Sequence, residues 1–228
     1  MRYEISGKPM PVVEFILDQG ESLYTQSGGM SWMSPTVSME TNMKGGFMKG
    51  IGRMFSGESL FMVTYTAQQQ GDRIAFTSTL PGEIHKVDVS NGKEYILQKQ
   101  AFLCAEPSVT LSTYFQKKIR AGLFGGEGFI MQKLSGHGSA FLELAGSIVE
   151  IELAANEKIK VDSSHVAYFE STCRYDVETV KGFKNILFGG EGLFLTVLTG
   201  PGKVYLQTMT VANLAQKIIP YIPVQSSN

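Results

Sequence analysis

Short stretches in which apolar and polar residues alternate dominate this chain. The alternation is clearest in residues 148–153 and continues in residues 140–144. A period of two puts successive side chains on opposite faces of a strand. Turns that contain glycine or asparagine, such as the one at Asn91 and Gly92, separate the stretches and are typical of β-hairpins. The pattern predicts an all-β protein with sandwich-like packing.

The C-terminal residues 211–219 break this pattern. They contain no glycine, and Leu214 and Ile218 are one helical turn apart. Pro220 and Pro223 follow and would stop a helix. We therefore predict one short C-terminal helix. Its apolar face is expected to pack on its own domain, with docking to another protein as the alternative.

An eight-residue pattern centred on a glutamate occurs three times, at residues 54–61, 123–130 and 187–194. In the second and third copies, the interval from an upstream glutamate to the central one is identical, from Glu106 to Glu127 and from Glu170 to Glu191. Internal repeats of this kind define the architecture. We predict a single compact domain over residues 1–228. It would consist of three β-sandwich-like units around a pseudo-threefold axis, at about residues 11–80, 81–146 and 147–210.

The composition is that of a globular protein, with 43% apolar and 18% charged residues among 228. No apolar run reaches the roughly 18 residues that a transmembrane helix needs, and the N-terminus lacks the features of a signal peptide. We expect a cytoplasmic protein, with peripheral association with a membrane as the alternative. The net charge of −1 gives no general electrostatic reason to expect a nucleic-acid or membrane partner.

The residues that most often carry chemistry occupy different places in the three units. The cysteines are expected to be small core residues, and the histidines do not provide the convergent ligands that zinc requires. These residues are Cys104, Cys173, His85, His137 and His165. No nucleophile with a neighbouring base is recognisable either. We therefore predict a protein that is not an enzyme and that needs no metal or cofactor.

The glycine-rich turns carry the recurring element of the repeat. Their residues are Gly57, Glu58, Gly125, Gly126, Glu127, Gly128, Gly189, Gly190, Glu191 and Gly192. The favoured interpretation is structural, because a glutamate can accept hydrogen bonds from backbone N–H groups that such a turn leaves unpaired. The alternative is a ring of three carboxylates around a hard cation.

Cationic residues mixed with apolar ones precede each glycine-rich turn. We select Lys49, Arg53, Lys117, Lys118, Arg120, Lys181 and Lys184 as candidate partner-binding residues. Such a surface could bind an anionic membrane or an acidic protein partner. Nucleic acid is less favoured, because the neighbouring aromatic residues alternate with Met and Ile, as core residues also do. A solvated basic rim is the alternative interpretation. The sequence is also compatible with a homo-oligomer.

The six residues 123–128 and the six residues 187–192, both Leu-Phe-Gly-Gly-Glu-Gly, resemble those of an uncharacterised bacterial family. That family is related to the altered-inheritance-of-mitochondria protein. Residues 54–59 depart from the pattern, because serine replaces two glycines. The resemblance implies three β-sandwich-like units with a fold like that of the tryptophan RNA-binding attenuation protein. For the mitochondrial relative it implies a role in inner-membrane organisation, and it implies no catalytic residues.

Taken together, these features predict a non-catalytic scaffold or surface-binding protein that uses its basic face. The alternative is a module that binds a small molecule or nucleic acid. RNA binding would follow only by analogy with the namesake of the fold, and fold analogy is a weak argument for function.

Overall fold

A computed structural model describes residues 1–26, 28–43, 61–117, 129–179 and 194–222. These residues form antiparallel β-strands and one α-helix, α1 (Val211–Ile218). The predicted all-β class and C-terminal helix are therefore confirmed. No residue of α1 is buried, and Ile218 at its end is 49% exposed. Thr210 caps the helix by accepting a hydrogen bond from the N–H of Asn213.

The described strands fall into an N-terminal strand, β1 (Arg2–Ser6), and three sets of six that follow it along the chain. The first set is β2 (Val12–Leu17), β3 (Ser22–Gln26), β4 (Met30–Met33), β5 (Ser38–Met43), β6 (Phe61–Thr66) and β7 (Asp72–Thr77). The second set is β8 (Gly82–Val89), β9 (Tyr95–Gln98), β10 (Phe102–Ala105), β11 (Val109–Lys117), β12 (Phe129–Gly136) and β13 (Gly138–Ala145). The third set is β14 (Ile148–Leu153), β15 (Lys158–Asp162), β16 (Val166–Glu170), β17 (Arg174–Thr179), β18 (Phe194–Thr199) and β19 (Gly202–Gln207).

All three sets follow one pairing scheme. The sixth strand of each set pairs with the first and the third, and the fifth strand pairs with the second and the fourth. The third strand carries a register shift at the same place in each set, between Met30 and Trp32 in the first. The scheme supports the predicted repeat. Because each predicted unit also includes residues outside the described ranges, the repeat of whole units stays a prediction.

Two further strand pairs join the sets into larger sheets. β3 pairs with β10, and β9 pairs with β16. The result is four sheets. Sheet I has the order β1-β2-β7-β4, sheet II β5-β6-β3-β10-β13-β8, sheet III β11-β12-β9-β16-β19-β14, and sheet IV β15-β18-β17. We call the β3–β10 contact the first junction and the β9–β16 contact the second junction.

The four sheets enclose three hydrophobic clusters. The cluster between sheets I and II contains Phe15, which meets Phe141 edge to face at a ring-centroid distance of 4.8 Å. The next residue, Leu142, lies in the cluster between sheets II and III. Ile96 lies in the cluster between sheets III and IV. Sheets II and III are thus buried on both faces.

The strands β4 and β15 lie at edges of sheets I and IV. They lack the pairing across a junction that their counterparts β10 and β9 have. All residues of β10 are buried, whereas none of β4 is, and Trp32 is 48% exposed. Lys160 in β15 occupies the place of Ile96 in β9, because each lies two residues before the last residue of its strand. Lys160 pairs with Glu178 at 2.6 Å instead of being buried. Among the described strands, β4 and β15 do not pair, so closure of the units around a threefold axis stays a prediction.

Both cysteines are buried free thiols, as expected of small core residues. Burial raises the pKa of both thiols. None of the helices in the described part of the chain has the length and apolar character needed to span a bilayer.

Asp72 fixes the turn before β7, at the position that glycine occupies at the start of β13 and β19. Its carboxylate accepts hydrogen bonds from the Thr36 hydroxyl and from the N–H groups of Gln68 and Gln69, the latter two at 2.9 and 3.0 Å. These bonds, the Thr36 bond above all, hold the pKa of Asp72 below its usual value although desolvation opposes them.

We predict that Asp72→Asn makes folding less sensitive to acid. Because the folded pKa of Asp72 is lowered, its stabilising contribution is complete above the unfolded pKa of about 3.9 and disappears as the pH falls through the folded value. Thermal unfolding at a series of pH values from about 6 down to about 2.5 should therefore show a shallower decrease for the variant. An equal decrease in both proteins would contradict the prediction.

Candidate functional site

Three β-hairpins lie at corresponding edges of sheets II, III and IV, formed by β5 and β6, by β11 and β12, and by β17 and β18. The last described residue pairs of these hairpins are Met43 with Phe61, Lys117 with Phe129, and Thr179 with Phe194. We call these six residues the hairpin edge. The predicted basic segments and glycine-rich turns connect the two strands of each hairpin, so they begin and end at this edge.

Only one of the predicted partner-binding residues falls within the described residues. Lys117 ends β11, where its backbone pairs with Phe129. The other candidates lie outside the described residues, namely Lys49, Arg53, Lys118, Arg120, Lys181 and Lys184. All of the glycine-rich turn residues, including the three glutamates, also lie outside them. Cation binding by these glutamates therefore stays an untested alternative.

A polar network closes the second junction. Gln98 donates through Nε2 to the carbonyl oxygens of Ser163 and Ser164, at 2.9 and 3.3 Å. Gln207 donates through Nε2 to the Ser164 carbonyl at 2.9 Å and to Gln98 Oε1 at 3.5 Å. Gln207 Oε1 accepts a hydrogen bond from the N–H of Ala145 at 3.2 Å. The two carboxamides thus use both donor and acceptor atoms to connect the second and third sets.

The first junction has the same framework but a different side chain at one position. Gln26 ends β3 as Gln98 ends β9, and Glu143 replaces Gln207 two residues C-terminal to Phe141 and Tyr205, respectively. Glu143 Oε2 accepts from the N–H of Thr79 at 2.7 Å, which matches the bond from Ala145 to Gln207. A carboxylate has no hydrogen to donate in return.

The consequence of this replacement is visible at Gln26. Its Nε2 atom is buried and has no hydrogen-bond partner among the described residues. An unsatisfied buried donor costs about 1–3 kcal/mol, so native proteins contain few of them. The two junctions therefore differ in one specific way. The second is closed by paired carboxamides, and the first keeps an unused donor.

A cavity of about 560 Å³ adjoins both junctions. All three sets of strands and the start of α1 contribute to its wall, which combines polar groups, two of them charged, with apolar ones. Its polar lining includes Thr25, Gln26, Ser31, Ser78, Thr79, Gln98, Lys99, Gln100, Glu143, Ser164 and Gln207, and its apolar lining includes Leu80, Phe102, Leu103 and Val211. A concave site with an apolar wall and a few polar groups is the usual form of a small-molecule site.

A Glu-His-Tyr chain is the nearest approach to a catalytic arrangement in the described residues. His85 contacts Glu83 through Nε2 and the Tyr168 hydroxyl through Nδ1, each at 3.2 Å. Tyr168 is only 3% exposed and stacks on Tyr205 at 4.1 Å. Burial raises the pKa of the Tyr168 hydroxyl, which is the opposite of what an activated nucleophile needs. We interpret this chain as a satisfied polar cluster that extends from the buried Tyr168 to the half-exposed Glu83.

The His, Cys, Asp and Glu side chains of the described residues do not converge on a metal site. No cluster of three or more His, Cys, Asp or Glu side chains that could hold an ion occurs in this part of the chain.

Sequence reasoning did not find the cavity, because its lining residues are dispersed along the chain. One feature of the sequence does indicate a difference between the junctions, because Glu143 in the second repeat stands where the third repeat has Gln207.

The sequence profile of the family described as mitochondrial biogenesis AIM24 matches residues 3–209. The chain belongs to this family. An uncharacterized protein of Streptococcus pyogenes serotype M6 is 32% identical over 238 residues, which cover 100% of this chain and 93% of that protein. An X-ray crystal structure of a Streptococcus pyogenes protein superimposes with a TM-score of 0.79 at 27% identity, over 97% of this chain and 99% of the other. The family membership expected from the repeated turns is confirmed, and these relatives assign no activity.

The difference between the junctions can be measured with two equivalent substitutions. We predict that Gln98→Leu lowers the free energy of unfolding by about 1–2 kcal/mol, because it removes the donor to two carbonyl groups. Gln26→Leu removes a donor that has no partner and should change stability by less than about 0.5 kcal/mol or increase it. Urea unfolding of both variants compares these values directly. An equal loss of stability would show that the two glutamines are equally well bonded.

Proposed function

We propose that this member of the AIM24 family is a non-catalytic scaffold that binds an anionic surface through the three segments at its hairpin edge. The observation that carries the proposal is the position of the three hairpins at corresponding edges of successive sheets. Each basic segment, together with the glycine-rich turn that follows it, connects the two strands at this edge. Three segments that are modestly charged on their own could therefore act together on one partner.

The magnitude of the electrostatic attraction supports a multivalent contact. Each Lys or Arg near an anionic membrane surface contributes about 1 kcal/mol, so seven such residues would outweigh a net charge of −1. The attraction is screened over about 10 Å at moderate salt, which makes the binding sensitive to ionic strength. An anionic membrane is the favoured partner, and an acidic protein surface has the same chemistry.

The absence of a recognisable catalytic arrangement in the described residues supports the non-catalytic part of the proposal. Tyr168, the hydroxyl nearest to a histidine and a carboxylate, is buried and its pKa is raised. A nucleic-acid-binding role has only the fold analogy behind it. A small-molecule role has a specific observation in its favour, namely the cavity that adjoins both junctions.

We predict that replacing Lys49, Arg53, Lys117, Lys118, Arg120, Lys181 and Lys184 with Gln abolishes binding to anionic liposomes. The substitution removes the cations that would approach the lipid phosphates. Co-sedimentation with anionic and with neutral liposomes, at low and at moderate salt, measures the effect. Retention on an RNA column under the same conditions tests the nucleic-acid alternative.

A matched pair of smaller variants separates position from net charge. Lys49, Lys118 and Lys184 replaced together by Gln should weaken liposome binding clearly. The control replaces Lys8, Lys93 and Lys158, which lie away from the basic segments, and should bind almost like the unaltered protein. Circular dichroism checks that both variants fold. If the unaltered protein binds no anionic liposomes at low salt, or if both variants bind equally well, the proposal is wrong.

A further inference from the structure

We propose that residues 211–222, which comprise α1 and the turn after it, insert apolar side chains into the bilayer to which the basic segments bind. We call these residues the C-terminal segment. The inference rests on the proposed function, because it concerns the same anionic membrane. It adds a second kind of contact, in which apolar side chains leave water beside the charged headgroups.

The C-terminal segment exposes large apolar side chains at several adjacent positions. Ile219 is 61% exposed, Tyr221 86% and Ile222 56%, and Val211 and Ile218 are also exposed. Single exposed apolar residues are common on protein surfaces, but a contiguous group of them marks a surface that contacts something other than water.

The helix in this segment is amphipathic. Its larger apolar residues and one alanine follow the spacing that places them on one face, namely Val211, Leu214, Ala215 and Ile218. Its polar residues lie on the other face, namely Asn213, Gln216 and Lys217. A helix of a globular domain usually buries such an apolar face, but no residue of α1 is buried. An amphipathic helix with an uncovered apolar face can lie in the plane of a membrane interface.

Strand pairing places the start of α1 at the same end of sheet III as the hairpin edge. Met131, two residues beyond the hairpin edge in β12, pairs with Gln98 at the end of β9. β16 is antiparallel to β9, so β16 begins at this end, where Val166 pairs with Leu206 near the end of β19. The chain then continues from β19 into α1. The basic segments and the C-terminal segment could therefore contact one membrane surface together.

The charges of this part of the chain favour an anionic lipid surface over a second copy of the protein. Residues 192–228 contain two cations, Lys203 and Lys217, and no Asp or Glu. In a symmetric contact with a second copy, the segment would face itself and bring like charges together. Tyr221 has an apolar ring and a polar hydroxyl, the combination that is enriched where a membrane meets water.

Both contacts are needed for firm binding. A single weak anchor holds a protein to a membrane only marginally, whereas an apolar anchor together with a basic patch holds it stably. Salt screens the attraction between the cations and the headgroups, but it does not screen the burial of apolar side chains. The two contributions can therefore be measured separately.

Co-sedimentation with vesicles of phosphatidylcholine and phosphatidylglycerol in equal parts tests the proposal. Replacing Ile218, Ile219 and Ile222 together with Gln removes apolar surface and keeps every charge. At about 0.1 M salt, this Gln variant should bind at least about tenfold more weakly than the unaltered protein. Its binding should decrease with added salt as steeply as before, because the cations remain. The matched control replaces the same three residues with Leu, which keeps the apolar surface, and should bind like the unaltered protein.

The outcomes separate this inference from the proposed function. If the Gln variant binds as tightly as the unaltered protein, the apolar contact is disproved and the basic segments are not affected. If the Gln variant loses binding while replacement of the basic residues has no effect, the basic segments are disproved and the apolar contact stands. If the unaltered protein binds no vesicles, both are wrong.

A fluorescent side chain tests insertion in a protein that keeps its isoleucines. Trp32 is the only tryptophan of the chain, so Trp32→Phe combined with Tyr221→Trp places a single indole in the C-terminal segment. With the mixed vesicles, its emission should shift to shorter wavelengths. Lipids brominated on their acyl chains should quench it, because an interfacial helix buries its apolar face about 5–10 Å deep. Unchanged emission from protein that sediments with the vesicles would overturn the proposal.

Sedimentation velocity without lipid tests whether a second copy covers the segment instead. The unaltered protein and the Gln variant should have the same molar mass. A dimer that the Gln substitutions convert to a monomer would show that the apolar surface is an interface between copies, and it would overturn the proposal.

Discussion

The fold depends on the pairing of a strand from one set with a strand from the next, at β3–β10 and at β9–β16. This pairing turns three-stranded half-sheets into six-stranded sheets whose two faces are both buried. Adjacent residues of one strand, Phe141 and Leu142, belong to two different hydrophobic clusters. A half-sheet removed from its neighbours would expose one of these faces to water, so no set of strands can be stable in this form alone.

Sheets I and IV lie at the two ends of the stack, so one face of each has no neighbouring sheet to cover it. On these outer faces, polar residues replace the apolar ones that stand at equivalent positions of the inner sheets. Lys160 stands where Ile96 is buried, and the exposed Ser31 of β4 stands where Leu103 of β10 is buried. Charged residues on an edge strand also discourage pairing with another chain. Atypical terminal units of this kind are the general rule in repeat proteins.

Local patterns in the sequence were sufficient for the all-β class, the C-terminal helix and several turns. The turn at Asn91 and Gly92 forms, although only Gly92 adopts a positive φ, of 82°. The pairing across the junctions could not be predicted, because register between distant strands depends on packing rather than on local propensity. The cavity was missed for the same reason. Gln26 and Glu143 are far apart in sequence, and only their counterparts Gln98 and Gln207 reveal what the pair lacks.

A repeated framework makes the loss of a single interaction informative, because the intact version is present in the same molecule. Glu143 has a carboxylate where Gln207 has a carboxamide. The first junction therefore lacks one donor but keeps the hydrogen bond from the backbone N–H of Thr79, which lies between β7 and β8. The side-chain hydrogen bond that joins Gln207 to Gln98 across the second junction therefore has no counterpart between Glu143 and Gln26.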